Sequence, residues 1–527
     1  MQDRDEPQAA NPATQDADAL SAIALNLMRV GRANDAAATL RRALRAVGPR
    51  PDLLFNLGIV EEGRGLAAEA ERAWREALES EPAHRRARLR LAVLYERQGR
   101  MAEATAEWEA AYAVEPADPA AAVGLARVRL AGGDARGACV VLEPLLPRAE
   151  SAYLPILLSR AREALGDDPG ALDALHHATA AFPGDDMAWR ALGQLEKRLG
   201  RLEEAMQSFD RAHALLRAPA SSYGLERPEF RHATRAKLRH DIEQLDWLDA
   251  RGIRVPGGAE ARAALARLLA AVPESLPDGE SFAVPPALRA RVAPWYNRCL
   301  HRAAAPRLAG GALNPALDWG ALEAAYFATG PGLVVVDDFL RAEALASLRS
   351  FCLESTFWYD SAHANGYVGA YVHDGFAAPL LAQIAAEFRA RMPQIFAAHA
   401  LLQLWAYHYD SRLAGIEMHA DFAAVNVNFW LTPDAANLDP ESGGMIIWDR
   451  EAPADWTAAD YNRTDPEAKR AIREWLAAEG AKATRITHRQ NRVVIFNSDL
   501  FHRTDDVRFR PGYGNRRLNV TMLYGWR

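Results

Sequence analysis

The chain has little cysteine: three residues, Cys139, Cys299 and Cys352, spread widely through 527. That excludes a disulfide framework and fits a reducing compartment, so the expected location is cytoplasmic. Long apolar runs are missing too. No stretch approaches the about 20 residues that cross a bilayer, so no membrane partner is expected. Nor is there a basic excess: 62 Lys and Arg against 69 Asp and Glu leave a net charge of −7, without the electrostatic footprint of a nucleic-acid binder. The opening Met1-Gln2-Asp3-Arg4-Asp5-Glu6-Pro7 is polar and acidic where a secretory leader needs a positive start and an apolar core. Residues 1–16 are expected to be disordered. The length allows two or three domains.

What the sequence does contain is, first, a repeat. Frames of about 34 residues begin at Ala17, Pro51, Arg85, Pro119, Ala152 and Asp186. Small residues recur at the eighth place (Ala24, Gly58, Ala92, Ala126, Ser159, Gly193) and at the twentieth (Ala36, Ala70, Ala104, Ala138, Ala171, Ala205). The twenty-seventh place holds Ala43, Ala77, Ala111, Ala178 and Ala212, with a departure at Leu145. Small residues are needed where the two helices of a hairpin approach closely. Trp74, Trp108 and Phe209 fill the gaps, and Pro82, Pro116 and Pro183 punctuate the next turn. This pattern resembles the tetratricopeptide repeat, about six copies over 17–219. The resemblance implies an all-α solenoid whose groove holds an extended peptide or a partner helix.

Near the other end stand His419-Ala420-Asp421 and, later, His502. Two histidines and a carboxylate make a facial triad, the ligand set of non-haem Fe(II), with positions left open for oxygen and an organic co-substrate. On a strand, side chains two apart point the same way with Cα atoms about 6.6 Å apart, so one metal fits between the tips of His419 and Asp421. His408-Tyr409-Asp410 is a rival. Context favours the second copy. Leu402 to Tyr409 reads as an apolar strand, Ser411 to Gly415 as its turn and Ile416 to Asp421 as the next strand, so Asp410 falls at the edge of the turn. Val425, Val427, Phe429 and Leu431 then alternate with Asn426, Asn428 and Trp430, a strand with one polar face. Met445 to Trp448 and Arg492 to Asn497 read as further strands. A meander of short strands suggests a double-sheet jelly roll.

Residues 332–527 resemble an iron(II)- and 2-oxoglutarate-dependent dioxygenase of the prolyl-hydroxylase-like group, in which an H-x-D…H triad precedes a basic residue opening the last core strand. Leu333 to Leu340 resembles the strand that leads into such domains. The resemblance implies a double-stranded β-helix of the jelly-roll, cupin-like type with flanking helices. It also implies Fe(II) on His419, Asp421 and His502, with 2-oxoglutarate and O2 as co-substrates and ascorbate as an accessory reductant. The basic residue would pair with the distal carboxylate of 2-oxoglutarate. Arg517 is the expected one, because Arg517, Asn519 and Thr521 share a face and offer a guanidinium fork with two hydrogen-bonding side chains. Arg503, Arg508, Arg510 and Arg516 stay open as alternatives, since the His-to-Arg interval is longer than usual for the group. Tyr407 and Tyr409 share a face of the preceding strand, where members place a tyrosine against the co-substrate, and Asn428 belongs to the polar wall.

Between these regions, 220–331 reads as helical and Pro/Ala-rich connecting structure. Lys237 to Leu248 is an amphipathic helix with Ile242, Leu245 and Leu248 on one stripe and His240-Asp241 on a solvated face. The charged insert Asp455 to Ala483 is expected to be partly helical. The expected activity is hydroxylation of a protein or peptide side chain recruited by the repeats. The alternatives are a small-molecule or natural-product hydroxylase that uses the repeats for assembly, and a non-catalytic adaptor sensing iron or 2-oxoglutarate.

Overall fold

The computed structural model describes residues 12–219, 224–361, 363, 366–410, 415–453, 456–457, 462–463 and 465–526. The chain divides into two compact units, Met1–Pro183 and Gly184–Arg527. No helix among the described residues is long and apolar enough to cross a membrane.

The first unit is a series of helical hairpins. Pro12–Arg29 pairs with Ala33–Val47, Pro51–Gly63 with Ala67–Ser80, Arg85–Arg97 with Met101–Val114, Pro119–Ala131 with Ala135–Leu142, and Tyr153–Ala164 with Asp168–Ala181. Residues 1–11 lie outside the described residues, and the first helix takes in 12–16. The repeated small positions are buried because bulky neighbours leave no room. A Cβ on Gly58 would meet the Trp74 indole at 2.2 Å. Each hairpin turns on a glycine in the left-handed region, from Gly99 at φ 72° to Gly133 at φ 83°, with Gly31, Gly65 and Gly166 between. The departure at Leu145 coincides with Pro144 and Pro147, where the short helix ending at Leu142 tightens into a 3₁₀ stretch, Glu143–Arg148.

A sixth hairpin, Asp186–Arg198 with Leu202–Arg217, belongs to the second unit. Its last residue inserts into that body. Arg217 is 2% exposed and grips Asp374 with Nε–Oδ1 at 3.0 Å and Nη2–Oδ2 at 2.5 Å. His213 Nε2 lies 2.9 Å from the Tyr359 hydroxyl, and Lys197 Nζ donates to Leu402 O.

Connecting residues then form a two-stranded sheet, β1 (His232–Thr234) with β2 (Ser281–Ala283), and a helix, Arg235–Ala250. The Thr234 side chain caps this helix at Lys237 N; of the expected stripe Leu245 and Leu248 are buried and Ile242 is partly buried against the cluster that holds Leu245. The expectation for His240 is corrected. It is 0% exposed, because Gln244 one turn on docks the polar face by donating to Leu353 O and Ser355 O.

The remaining strands are β3 (Leu333–Val336), β4 (Val368–Tyr371), β5 (Leu401–Tyr409), β6 (Ala423–Trp430), β7 (Met445–Glu451), β8 (Ala483–Ile486), β9 (Val493–Asn497), β10 (Leu500–Thr504) and β11 (Arg517–Trp526). They form a six-stranded antiparallel sheet, β3-β9-β6-β11-β5-β4, and a three-stranded one, β10-β7-β8. Alternation sorts the large sheet. Leu404, Val427, Phe429, Val520 and Met522 face a core with Leu348, Phe351, Ile384 and Phe388 of the helices Ala342–Glu354 and Pro379–Arg391. Trp430, Val494 and Phe496 instead pack on Met445, Ile447, Ile486 and Leu500 of the small sheet. In register on the inner face stand Trp405, Thr521 and Asn428, then Tyr407, Asn519 and Trp430, then Tyr409 and Arg517.

The strand expected over Ile416 to Asp421 is not regular. This segment carries a single bridge, His419 to His502, and the turn residues 411–414 lie outside the described residues. Its main chain bonds at Ile416, His419 and Asp421 to Thr504, His502 and Ser498, an irregular spacing from which no ladder develops. The insert carries a helix at Pro466–Ala478.

Candidate functional site

The triad forms where the segment after β5 runs antiparallel to β10. The backbone sets it: His419 N donates to His502 O at 2.9 Å, His502 N to His419 O at 2.8 Å, and Asp421 N to Ser498 O at 3.1 Å. His502 Nε2 lies 3.5 Å from Asp421 Oδ2, and His419 Nε2 lies 4.0 Å from Asp421 Oδ1. One ligand atom from each residue falls within 4.8 Å of the others, the single such group among the described residues.

Each imidazole is oriented through its other nitrogen. His419 Nδ1 is 2.8 Å from Glu417 O, and His502 Nδ1 is 2.9 Å from Leu500 O. A carbonyl can only accept, so both Nδ1 atoms carry the proton and both Nε2 lone pairs face the centre. Asn426 Nδ2 donates to Asp421 Oδ2 at 2.7 Å. Burial, with the second histidine adding to it, pushes the His419 imidazole down to about 4. Burial alone would raise the Asp421 carboxyl, but the two histidines and the Asn426 amide outweigh it and hold the carboxyl below its ordinary range. A neutral imidazole at His419 beside an ionised carboxylate at Asp421 suits a divalent metal.

All nine residues singled out in the sequence reach the wall of one pocket of about 40 Å³: His419, Asp421, His502, Asn428, Tyr407, Tyr409, Arg517, Asn519 and Thr521. Arg517 is 2% exposed, its guanidinium carbon 4.9 Å from the Tyr409 ring centroid. Its Nε and Nη2 donate to the carbonyls of Gly443 and Gly444 at 2.7 and 3.1 Å, and Nη1 to Asn519 Oδ1 at 3.1 Å. The glycines bring these carbonyls close. Gly443 sits at φ +83°, and a Cβ on Gly444 would meet Ile486 O at 2.0 Å. Burial pulls the guanidinium below its ordinary value, with Tyr409 opposing. Among the described residues no carboxylate pairs with Arg517, so the pocket wall carries a buried cation complementary to an anionic ligand.

The other arginines are placed differently. Arg516 Nη2 pairs with Glu243 at 2.6 Å and Asp410 at 3.3 Å. Arg508 and Arg510 are exposed, Arg510 beside a separate cavity with Trp247 and Tyr513. Arg503 lines the pocket but spends Nη1 on Thr504 O. The rival motif faces away: His408 is 0% exposed on the opposite face of β5, its Nδ1 3.1 Å from His240 Nε2.

Two functional positions were not singled out by sequence reasoning. Asn426 lies on the polar face of β6, so the side it faces was legible but its bond to Asp421 was not. Trp405, two residues before Tyr407, lines the pocket with its indole N–H buried and without a partner. Together the polar residues make one directed chain. Arg517 donates to Asn519, Asn519 Nδ2 to Asn428 Oδ1 at 3.2 Å, Asn428 Nδ2 to Asn426 Oδ1 at 3.4 Å, and Asn426 to Asp421.

The family model described as tetratricopeptide repeat matches residues 21–74, 55–122 and 156–219. The helical N-terminal region is therefore a tetratricopeptide array, a module class that commonly binds protein or peptide partners. No curated protein matches the chain. Among solved structures it is similar to pilF of Pseudomonas aeruginosa, at 17% identity over 39% of this chain and 94% of that one with a TM-score of 0.34. A tetratricopeptide repeat protein from Parabacteroides merdae matches at 15% identity over 53% and 98% with a TM-score of 0.34. YrrB, a tetratricopeptide protein with an unusual peptide-binding site, matches at 16% identity over 33% and 91% with a TM-score of 0.30.

Proposed function

We propose that the second unit is an Fe(II)- and 2-oxoglutarate-dependent dioxygenase built on a jelly-roll core of the cupin type. It hydroxylates a protein or peptide side chain recruited by the repeats. The observation that carries this reading is the conjunction in one pocket of a two-histidine, one-carboxylate donor set and a buried guanidinium without a carboxylate partner among the described residues. The donor set fits Fe(II), because three ligands on one side leave positions open on the other.

When bound, Fe(II) with 2-oxoglutarate and O2 supplies the oxidising chemistry: one oxygen atom enters a substrate C–H bond and the other enters the succinate formed as CO2 leaves. The protein does the positioning. His419 and His502 are held in the metal-binding tautomer by Glu417 O and Leu500 O, and Asp421 is held in its rotamer by Asn426. Arg517, with Asn519 and Thr521, binds the distal carboxylate of the co-substrate. Trp405, Tyr407 and Tyr409 wall the pocket and keep water away from the reacting atoms. With the carboxylate of Asp421 as the third protein ligand, this reading favours hydroxylation over halogenation.

The test is succinate formation by the full chain supplied with Fe(II), 2-oxoglutarate and ascorbate, first without substrate and then with cell-derived peptides. Slow turnover that peptides accelerate supports the reading. Stoichiometric Fe(II) binding without any succinate would favour the sensor instead.

A further inference from the structure

The three ligand residues alternate with apolar neighbours. His419, Asp421 and His502 bring their donor atoms together at the metal centre, whereas Met418, Ala420 and Phe501 are buried in a separate cluster behind it. The insert completes that cluster. Asp465 caps the helix Pro466–Ala478 by accepting from Ala468 N at 2.9 Å, and Pro466 takes its first position. Ile472 and Leu476, one turn apart, enter the cluster, and Trp475 meets Phe501 with 5.8 Å between ring centroids. The helix thus lies against the chain neighbours of all three ligands.

On the same helical stripe, three residues before Ile472, stands Lys469. It is 5% exposed, an unusual place for a lysine, and its Nζ donates to Met418 O at 2.6 Å. That carbonyl belongs to the same peptide unit as His419 N, which donates to His502 O at 2.9 Å. A donor on the carbonyl polarises the whole unit, so the two bonds strengthen one another. This support falls where the backbone has little of its own. Residues 416–421 join no ladder, so the course of the chain through His419 and Asp421 depends on isolated bonds to Thr504, His502 and Ser498 and on this one. Glu417 O sets how the His419 ring is turned, and Lys469 holds the peptide from which that ring projects.

We propose that Lys469 is a positioning residue of the metal centre, and that docking of the insert helix and binding of a divalent metal stabilise one another. Such coupling is reciprocal: whatever the docked helix adds to metal affinity, the bound metal adds to helix docking. The proposal rests on the metal-binding part of the reading above and not on the oxidation chemistry.

The experiment uses the full chain and Co(II) alone. In calorimetric titrations Lys469→Met, which keeps the stem but cannot donate, should bind Co(II) about ten- to a hundredfold more weakly, as for other groups that orient a ligand from behind. Lys469→Arg, which can still donate, should recover most of that loss. Amide hydrogen exchange over 466–478 gives the reciprocal measurement. Saturating Co(II) should slow it severalfold more than it slows exchange over 379–391, a helix on the other face of the large sheet, and should have no effect in His419→Ala. A lysine with only a structural role would lower the melting temperature of the metal-free chain without moving Co(II) affinity, and that result overturns the proposal. So does exchange over 466–478 that ignores bound Co(II), a measurement on the wild-type chain that decides the matter should Lys469→Met misfold. A wild-type chain that takes up no Co(II) would sink the metal site, the dioxygenase reading and this proposal together. Coupling without succinate formation would sink the dioxygenase reading alone.

Discussion

Asn426 holds Asp421: its Nδ2 donates to Asp421 Oδ2 at 2.7 Å, while its own Oδ1 accepts from Asn428. Groups that orient a metal ligand from behind typically contribute about ten- to a hundredfold in metal affinity. Asn426→Leu, which keeps the volume but cannot donate, should weaken Fe(II) or Co(II) binding by about that factor in a direct titration. An unchanged affinity would mean the carboxylate needs no support.

Arg517→Ala should weaken 2-oxoglutarate about ten- to a hundredfold while sparing metal, as expected for a charge-assisted pair of about 1.5–3 kcal/mol. Arg516→Ala should leave the co-substrate alone, because that guanidinium is engaged by Glu243 and Asp410. The reverse result in calorimetric titrations would move the anchor to Arg516.

His419→Ala and His502→Ala should abolish stoichiometric metal binding. His408→Ala should not, because its imidazole bonds to His240 on the far face of β5. It should instead cost about 1–3 kcal/mol of stability, since His240 Nε2 is left buried and unsatisfied. A His408→Ala protein that folds normally but loses metal would transfer the triad to the rival motif.

Burial, reinforced by neighbouring positive charge, pulls the imidazoles of His240 and His408 well below their usual value. The native state therefore keeps them neutral while the unfolded chain takes up protons as pH falls through about 6.5. Their contribution to stability is full above that value and declines below it, by up to about 1.4 kcal/mol per pH unit for each histidine. Tm should fall between pH 7 and pH 5, less steeply in a His240→Leu/His408→Leu variant. Equal slopes would assign the acid sensitivity to other groups.

A chain beginning at Gly184 keeps the sixth hairpin and should fold and bind metal. One beginning at Pro219 leaves Asp374 without Arg217, and losing one partner of a buried ion pair costs about 3–5 kcal/mol. Comparable thermal melts for the two chains would show that the hairpin is dispensable.

Much of the fold was legible because it is local. The 34-residue register, the alternation in β6 and the run from Arg517 to Tyr524 need no knowledge of distant residues. One local signal went unread: a glycine fifteen places into each frame, from Gly31 to Gly200, where every hairpin turn requires a positive φ. The irregular course of Ile416 to Asp421 was harder to read. An alternating segment looks like a strand until its partners are known, and here they are one reciprocal pair of hydrogen bonds with His502 and isolated ones with Thr504 and Ser498.

The sequence by itself determined the ingredients: a tetratricopeptide array, a β-rich C-terminal region and an ordered set of two histidines, an aspartate and an arginine strand. Only the tertiary structure decided which His-x-Asp shares a pocket with His502, which of five arginines is buried in its wall, and that Asn426 stands behind Asp421. The same holds for the last hairpin, which packs through Arg217 into the unit that carries the site. Spacing fixes which way a side chain points along its own element, whereas these outcomes depend on contacts between elements distant in sequence, where burial and charge compensation select the partner.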